Sequence, residues 1–371
     1  MQQVFKLSLI TLALTLAACG SSDDDKVVEE KIITDTETTE QINSEYGPYT
    51  TGSTQAPQYA YFDLDTGKAL TLTEQEAQDN TEWDIAFKRT GVYLNSHTDN
   101  SIAVNFTGNN TDFFDADGKA IVDKFVNATS ESELEDYEAV AFASIPADES
   151  AFVGDVTEQI LADFYNYDTT THKVTAADDK YYIVQSDNSF SKYRVSELSQ
   201  DGRAMSAITL EIANQAEGAT DFAAAQTLEL DLAALCSLND AVYIDLDTAL
   251  EVTADDAYDL SLSCTEGGAN YALTLTEDAT AIQDFTNVFT GIAPEAASHY
   301  GFQPNEYTVR AFDQNKWYAY NLQGGHKLWS QFGVYIIKTP TAHYKFQVLS
   351  YYDEQGNSGN YSFRADKLSA E

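Results

Sequence analysis

A sequence pattern that occurs twice is the feature that most constrains the fold of this chain. Tyr61–Leu70 alternates apolar and polar residues and then turns, and Tyr243–Leu250 repeats the same Tyr-x-Asp-Leu-Asp-Thr order. Alternation with a period of two is typical of a half-buried strand, and the turn residues at its end favour a hairpin. Trp83–Phe87 follows the first copy and Tyr258–Leu262 follows the second, each as a further alternating segment. The sequence therefore predicts the same β-hairpin and following strand in two places.

The parts of the chain that follow these hairpins also match each other in order. We expect two diverged copies, repeat 1 over residues 46–220 and repeat 2 over residues 225–371, with the boundary near Glu217–Ala225. Chance similarity between short strands is the alternative, and the agreement at successive positions disfavours it. The matching segments are Phe164–Asn166, His172–Val174, Tyr182–Val184 and Lys192–Val195 in the first copy, with Tyr318–Asn321, His326–Leu328, Tyr335–Ile337 and Lys345–Val348 in the second.

Composition supports a strand-rich fold. Aromatic residues make up 12% of the chain, with 23 Tyr and 19 Phe, and such residues are enriched in strands. Helical patterns are few: Ile121–Val126, Glu131–Tyr137 with Ser130 as a cap, and Val156–Phe164. The predicted fold class is all-β, with a few short helices.

The N-terminus predicts export and a lipid anchor. Lys6 precedes an apolar run, Leu7–Leu16, which is too short to span a bilayer and is typical of a signal peptide. The run ends in Leu16-Ala17-Ala18-Cys19, which resembles the lipobox of bacterial lipoproteins. We therefore predict a signal peptide over residues 1–18 and lipid on Cys19. An ordinary signal peptide with a chance cysteine is the alternative. Gly20 after the cysteine favours the outer membrane over retention in the inner one.

The segment after Cys19 is predicted to be a disordered acidic tether over residues 19–45, because few of its residues can be buried. The whole chain carries a net charge of -40, which would repel the phosphates of nucleic acids. We therefore exclude nucleic acid as a partner and interpret the acidic surface as a solubilising one. Cys236 and Cys264 remain as an even pair in an oxidising compartment, which predicts a disulfide between them.

Several strands resemble those of the HmuY-type lipoproteins. The resemblance lies in Trp83–Arg89 and in the C-terminal run of Val334–Lys338, Tyr344–Val348 and Gly359–Phe363. It implies a β-rich lipoprotein that binds haem for iron acquisition. It also implies a haem-carrying protein or a TonB-dependent outer-membrane receptor as partner.

The resemblance directs attention to two of the five histidines. Haem iron accepts axial imidazole nitrogens, and the family pattern places ligands near His299 and His326, so we expect these two as the iron ligands. His326 matches His172 of the first copy, so a role in the turn is the alternative interpretation. His97 and His343 are expected to be solvated. Lys and Arg often bind carboxylates such as the haem propionates, and the candidates near this site are Arg310, Lys316 and Lys327.

No enzyme motif is present in the sequence: it lacks a Gly-x-Ser-x-Gly elbow, a phosphate-binding loop and a His-Glu-x-x-His pair. We therefore expect a non-enzymatic binding protein. Two other functions remain open. The chain is either a surface interaction or structural lipoprotein of the same fold without haem, or a calcium- or glycan-binding surface module.

Overall fold

The computed structural model describes residues 44–96, 101–186 and 189–370. Strands dominate these ranges, as the alternating sequence patterns predict, and the predicted all-β class is confirmed. The strands are β1 (Glu45–Thr50), β2 (Ala60–Asp63), β3 (Lys68–Leu70), β4 (Ile85–Lys88), β5 (Gly91–Leu94), β6 (Ala103–Phe106), β7 (Val156–Gln159), β8 (Tyr165–Asp168), β9 (Lys173–Ala176), β10 (Tyr182–Ser186), β11 (Ser189–Asp201), β12 (Ala204–Gln215), β13 (Gln226–Asp231), β14 (Ala241–Asp245), β15 (Leu250–Val252), β16 (Leu260–Thr265), β17 (Gly268–Ala269), β18 (Thr274–Leu275), β19 (Thr280–Gln283), β20 (Glu306–Val309), β21 (Tyr318–Tyr320), β22 (Leu328–Ser330), β23 (Tyr335–Lys338), β24 (His343–Tyr352) and β25 (Ser358–Lys367).

The helices are short and lie between the strands. The α-helices are α1 (Glu74–Asp79), α2 (Val122–Asn127), α3 (Leu134–Glu138) and α4 (Leu232–Cys236). The 3-10 helices are Thr111–Phe113, Phe142–Ser144, Glu149–Ala151, Ala162–Phe164, Pro294–His299 and Ala311–Asp313.

Two of the three predicted helices occur, as α2 and α3, although Glu133 rather than Ser130 is the N-cap of α3. The third prediction, a helix over Val156–Phe164, is wrong. Its first residues form β7, which pairs with β20, and only its last three residues are helical. Cross-strand hydrogen bonds here outweigh a local helical spacing of apolar residues.

One core, here called the outer core, is formed by residues from the beginning and the end of the described chain. Strand β1 pairs antiparallel with β25, and β6 pairs with β23, so residues more than 200 positions apart share one sheet, ordered β1-β25-β24-β23-β6. The sheet β3-β2-β4-β5 packs its apolar face on this sheet. In the shared core Phe87 lies between Tyr361, at 4.4 Å between ring centroids, and Phe363, at 5.2 Å.

An inner core is formed by the middle of the chain. Strands β10–β12 form a meander that is joined by β13, β17 and β19, and β14–β16 continue the same sheet. Its buried residues run from Ile160 to Ala281 and include Tyr193, Leu210 and Leu262. Repeat 1 and repeat 2, predicted as residues 46–220 and 225–371, are therefore not separate bodies. Each core takes strands from both ranges, because the long-range strand pairing crosses the predicted boundary. The common origin of the two ranges stays a prediction.

Two connections involve the middle of the chain. Strands β7 and β20 pair with each other, and both lie where the chain passes between the outer and the inner core. Cys236 and Cys264, the predicted disulfide pair, lie with their Cα atoms 5.2 Å apart at the end of α4 and in β16, a separation within the usual range for a disulfide.

The predicted signal peptide, Cys19 and nearly all of the predicted tether lie outside the described residues, as does His97. Among the helices that are described, none is long and apolar enough to cross a membrane.

Candidate functional site

The hairpin of β21 and β22 carries His326, one of the two predicted iron ligands. Its strands pair from Tyr318 with Ser330 to Tyr320 with Leu328. The connecting loop contains Gly324 and Gly325, which take the positive φ values of 81° and 70° that glycine adopts without strain. His326 closes the loop at φ 56°, and its backbone N–H donates to Oδ1 of Asn321.

The imidazole of His326 is held through its Nδ1 nitrogen. Nδ1 of His326 is hydrogen-bonded to the phenol oxygen of Tyr320, and the two ring centroids lie 5.9 Å apart. Both side chains are exposed, Tyr320 at 55%. A metal-binding histidine commonly has its second ring nitrogen hydrogen-bonded, which fixes the ring orientation and the tautomer. The contact with Tyr320 therefore orients Nε2 of His326 as the nitrogen available to an exogenous ligand.

The surroundings of this hairpin combine aromatic rings with one cation. Nζ of Lys327 lies 4.1 Å from the centroid of the Trp329 ring and 5.6 Å from that of Tyr352. A cleft of about 530 Å³ runs beside Lys327 and Tyr352. Asp353 and Glu354 also line it, so the cleft has both signs of charge. Lys327 and Tyr352 line this cleft, whereas His326 and Trp329 are not among its lining residues.

The second predicted iron ligand lies on a different element. His299 ends the 3-10 helix Pro294–His299 and is exposed. The residues next to it, Ala297 and Tyr300, pack against Ile183, Phe190 and Ile292 beside the inner core. His326 belongs to a hairpin that packs on the outer sheet. Among the described residues no hydrogen bond or ring contact joins His299 to His326.

The other described histidines differ in environment. His172 is exposed at the end of the β8–β9 hairpin, where its Nδ1 lies 2.6 Å from the phenol oxygen of Tyr167. His343 begins β24 and is half-buried, whereas the sequence predicted it to be solvated. Its ring lies 5.6 Å from that of Phe152. Burial lowers the pKa of His343, and the charge of Lys338 lowers it further.

The three candidate propionate partners are not equally available. Arg310 makes two hydrogen bonds to the carboxylate of Asp313 and one to the phenol oxygen of Tyr93. Lys316 is exposed on the segment before β21, and Lys327 is exposed on the hairpin itself. Lys327 is therefore the cation best placed to act together with His326.

A second cavity, which the sequence did not indicate, lies beside β2, β5 and α1. Its volume is about 320 Å³, and four aromatic side chains line it: Tyr59, Tyr61, Trp83 and Tyr93. The rings contact each other, with centroids 5.1 Å apart for Tyr59 and Tyr93 and 5.3 Å apart for Tyr61 and Trp83. Lys88 bonds to Glu74 at the rim and covers the Tyr59 ring at 4.2 Å. The clustering depends on cross-strand neighbours, which sequence spacing does not show.

The repeated Asp-Leu-Asp-Thr segments use their carboxylates within the protein. Asp63 accepts hydrogen bonds from the backbone and hydroxyl of Thr66, and Asp245 does the same for Thr248. Asp84 is buried and accepts from the backbone N–H of Leu64 at 2.7 Å; burial raises its pKa to about 7. Within the described ranges no group of three or more His, Cys, Asp or Glu side chains has a metal-binding arrangement. Asp63, Asp84 and Asp245 therefore accept hydrogen bonds that hold their own hairpins.

Comparison with known proteins supports the predicted resemblance. The family model described as HmuY protein matches residues 55–211, so the HmuY relationship is confirmed for this part of the chain. A candidate lipoprotein of solved structure from Bacteroides fragilis is 10% identical, with 45% of this chain and 91% of that chain covered and a TM-score of 0.16. The apo HmuY analog from Tannerella forsythia is also 10% identical, with 58% and 96% covered and a TM-score of 0.18. No curated protein matches the chain.

Proposed function

We propose, from the HmuY family match of residues 55–211, that this chain is a non-enzymatic lipoprotein that binds haem for iron acquisition. The observation that carries the proposal for this chain itself is the hairpin of β21 and β22. It presents His326 with Nδ1 held by Tyr320, beside the cation of Lys327 and the rings of Trp329 and Tyr352. Haem iron accepts a neutral imidazole nitrogen, and the porphyrin requires apolar or aromatic walls.

In this proposal Nε2 of His326 would bind the haem iron, and the Tyr320 phenol holds the imidazole ring in orientation. Lys327 pairs with a propionate, with Lys316 as a second cation on the preceding segment. Arg310 takes this role less readily, because its guanidinium is already bonded to Asp313. His299 is the proposed second ligand. Since both imidazoles would have to reach the same iron atom, this part of the proposal requires the two ligating nitrogens to lie within about 4 Å of each other.

The anchoring and partner proposals rest on the sequence. We place lipid on Cys19 and the protein on the outer membrane, with the segment of residues 19–45 as a tether that carries the folded part away from the lipid. The disulfide between Cys236 and Cys264 fits an exported protein, because such bonds persist in oxidising compartments. A TonB-dependent receptor or a haem-carrying protein is the partner implied by the resemblance.

Titration of the chain from Gly20 onward with haemin tests the haem proposal. A shifted Soret band that saturates at micromolar haemin, and that His326→Ala weakens at least tenfold, is the expected result. His299→Ala should weaken binding as well and change the spectrum from six-coordinate towards five-coordinate. A variant at a half-buried position, His343→Ala, is the matched control and should bind as the natural sequence does. A Soret band that none of these variants alters would contradict the assignment of His326.

A second function is favoured by one specific observation. The cavity bounded by Tyr59, Tyr61, Trp83 and Tyr93 contains no histidine. Aromatic rings with a carboxylate at the rim suit a neutral or cationic organic ligand better than haem iron. The alternative function is therefore that of a surface interaction lipoprotein of the same fold. Absence of any haemin-dependent spectral change would favour it.

A further inference from the structure

The outer and inner cores contain the same succession of five paired strands. The order is β1-β25-β24-β23-β6 in the outer core, and β13, β12, β11, β10 and β19 pair in the same succession in the inner core. Strand β7 divides repeat 1 into a first and a second half, and β20 divides repeat 2 in the same way. In both cores a three-stranded meander from the second half of one repeat lies between strands from the first half of the other repeat.

The two sets of strands also share one register. Val104 of β6 lies opposite Ile337 of β23, and Ala281 of β19 lies opposite Val184 of β10. Val104 and Ala281 each exchange two backbone hydrogen bonds with a residue shortly before the next strand, β7 or β20. A slip of one residue would turn every side chain of a strand to its other face. Agreement of register in separate parts of the chain is therefore not expected from chance similarity of short strands.

The long hairpin of each meander bends at the same place. Val348 lies opposite Phe363 in the hairpin of β24 and β25, and Val195 lies opposite Leu210 in the hairpin of β11 and β12. Directly after each of these valines the register shifts, because one extra residue is inserted in the first strand. Such β-bulges bend a strand and are retained as features of a fold. The second halves of the two repeats therefore have equivalent structures.

The first halves correspond as well. Asp84 follows the hairpin of β2 and β3, and Asp259 follows the hairpin of β14 and β15. Each carboxylate is buried and accepts a hydrogen bond of 2.7 Å from a backbone N–H of the hairpin before it, that of Leu64 or Leu246. The contact that holds the hairpin in repeat 1 thus recurs in repeat 2.

Strands β7 and β20 connect the halves of their repeats, and they pair with each other. Val156, the first residue of β7, lies opposite Val309, the last residue of β20. Gln159, the last residue of β7, lies opposite Glu306, the first residue of β20. Equivalent positions therefore contact each other reciprocally, which is the pattern of two elements related by a twofold axis. The chain passes from the outer to the inner core along β7 and returns along β20.

The matched family model contains both halves in one stretch of sequence. It covers residues 55–211, which include β2 to β6 of the first half and β8 to β11 of the second. In this chain those halves contribute to different cores. Phe87 of the first half packs in the outer core, and Tyr193 of the second half packs in the inner core. The stretch that the family model treats as one unit is therefore divided between two cores.

From these correspondences we infer that repeat 1 and repeat 2 have exchanged their second halves at the crossing of β7 and β20. Each core is then one unit, in which the first half of one repeat is completed by the second half of the other. Exchange of an identical element between two protomers is domain swapping, and here the two protomers are joined in one chain. The partner that each repeat binds is the other repeat. The exchange does not depend on haem binding.

The exchange accounts for the separation of the two candidate iron ligands. His299 precedes β20 and so belongs to the first half of repeat 2, whereas His326 follows β20 and belongs to its second half. The first half stays at the inner core, where the neighbours of His299 pack, and the second half is carried to the outer core. Two residues of one repeat therefore lie beside different cores.

Cutting the chain between the repeats tests the exchange. A recognition site for a specific protease can be inserted between Glu217 and Gly218, which lie in an exposed turn, in the chain from Gly20 onward. After cutting, both fragments should elute together in size-exclusion chromatography, in equal amounts and at the volume of the uncut chain. The urea midpoint of the cut chain should rise with protein concentration, because unfolding separates two molecules. The uncut chain with the same insertion is the control, and its midpoint should not depend on concentration.

Engineered cysteines distinguish the exchanged from the unexchanged pairing. Thr50 lies opposite Asn360, so Thr50→Cys with Asn360→Cys should form a disulfide on oxidation. Ala207 of β12 corresponds to Asn360 of β25, because each lies three residues before the partner of the valine at the bulge. In an unexchanged repeat 1, Thr50 would lie opposite Ala207. Thr50→Cys with Ala207→Cys is therefore the matched control and should keep two free thiols.

Two results would overturn the exchange. One is separation of the cut chain into two folded fragments, each with a urea midpoint that is independent of concentration. The other is a disulfide in the Ala207→Cys variant together with free thiols in the Asn360→Cys variant. The cysteine variants do not contain the inserted site, so they test the exchange even where the insertion prevents folding.

Discussion

The packing of the two ends of the chain into one core makes a quantitative prediction about Phe87 and Phe363. Both side chains are fully buried in the outer core, and their ring centroids lie 5.2 Å apart although 276 positions separate them. Replacing either ring by leucine removes the aromatic contact and leaves a small packing defect. We expect each substitution to lower the free energy of unfolding by about 1 to 2 kcal/mol. Since the shared contact is lost only once, the double variant should lose about 1 kcal/mol less unfolding free energy than the two single variants lose in sum.

Urea unfolding measures this coupling. Tryptophan fluorescence reports the outer part, because Trp83, Trp317 and Trp329 all pack in clusters formed with the outer sheets, and far-ultraviolet circular dichroism reports the whole. Phe164 in the inner core provides the matched control. Phe87→Leu combined with Phe164→Leu should be additive within about 0.5 kcal/mol. Additive effects for Phe87 and Phe363, or equal coupling for Phe87 and Phe164, would refute the arrangement of the two cores.

Three further predictions concern buried charges and the cysteines. Burial raises the pKa of Asp84 to about 7, so its carboxyl holds a proton more tightly in the folded state, and the free energy of unfolding should fall as the pH rises from about 4 to 7. Asp84→Asn should therefore stabilise the protein at pH 8, by at most about 4 kcal/mol, and much less at pH 5. In thermal melts the exposed control Asp117→Asn should show no such difference between the two pH values. The buried ammonium of Lys192 lies 2.6 Å from the carboxylate of Asp284, and Asp284→Asn removes the negative charge of this partner. Urea unfolding should show that the free energy of unfolding falls by about 3 to 5 kcal/mol, and a fall of less than about 1 kcal/mol would contradict this reasoning. Cys236→Ser with Cys264→Ser opens a loop with a sequence separation of 28 and should cost about 3 to 4 kcal/mol, while two free thiols in the unreduced natural chain would argue against the disulfide.

Local features of the fold were accessible from the sequence. The Asp-Leu-Asp-Thr segments predict hairpins, because Asp63 and Asp245 satisfy the backbone of their own turns. Which strands pair with each other could not be predicted from the sequence in this way. Every half-buried strand alternates with the same period, so nothing in the pattern of β1 identifies β25 as its neighbour. The helix expected over Val156–Phe164 failed for the same reason, since the partner strand β20 lies far along the chain.

The candidate site was accessible only in part. The sequence singled out His326 and Lys327, and the structure places both on one exposed hairpin. It did not indicate that Tyr320 would contact His326, although the recurrence of tyrosine five residues before His172 and six before His326 was a usable signal. The aromatic cavity could not be found from spacing, because Tyr59, Tyr93 and Trp83 meet only after β2, β4 and β5 pair.

A structure of the chain determined with bound haemin tests whether His326 binds the iron, because the iron can be located by its anomalous scattering. We expect an iron position about 2 Å from Nε2 of His326, with Tyr320 still bonded to Nδ1 and Lys327 beside a propionate. Iron bound in the cavity lined by Tyr59 and Trp83, or iron distant from His326, would contradict it.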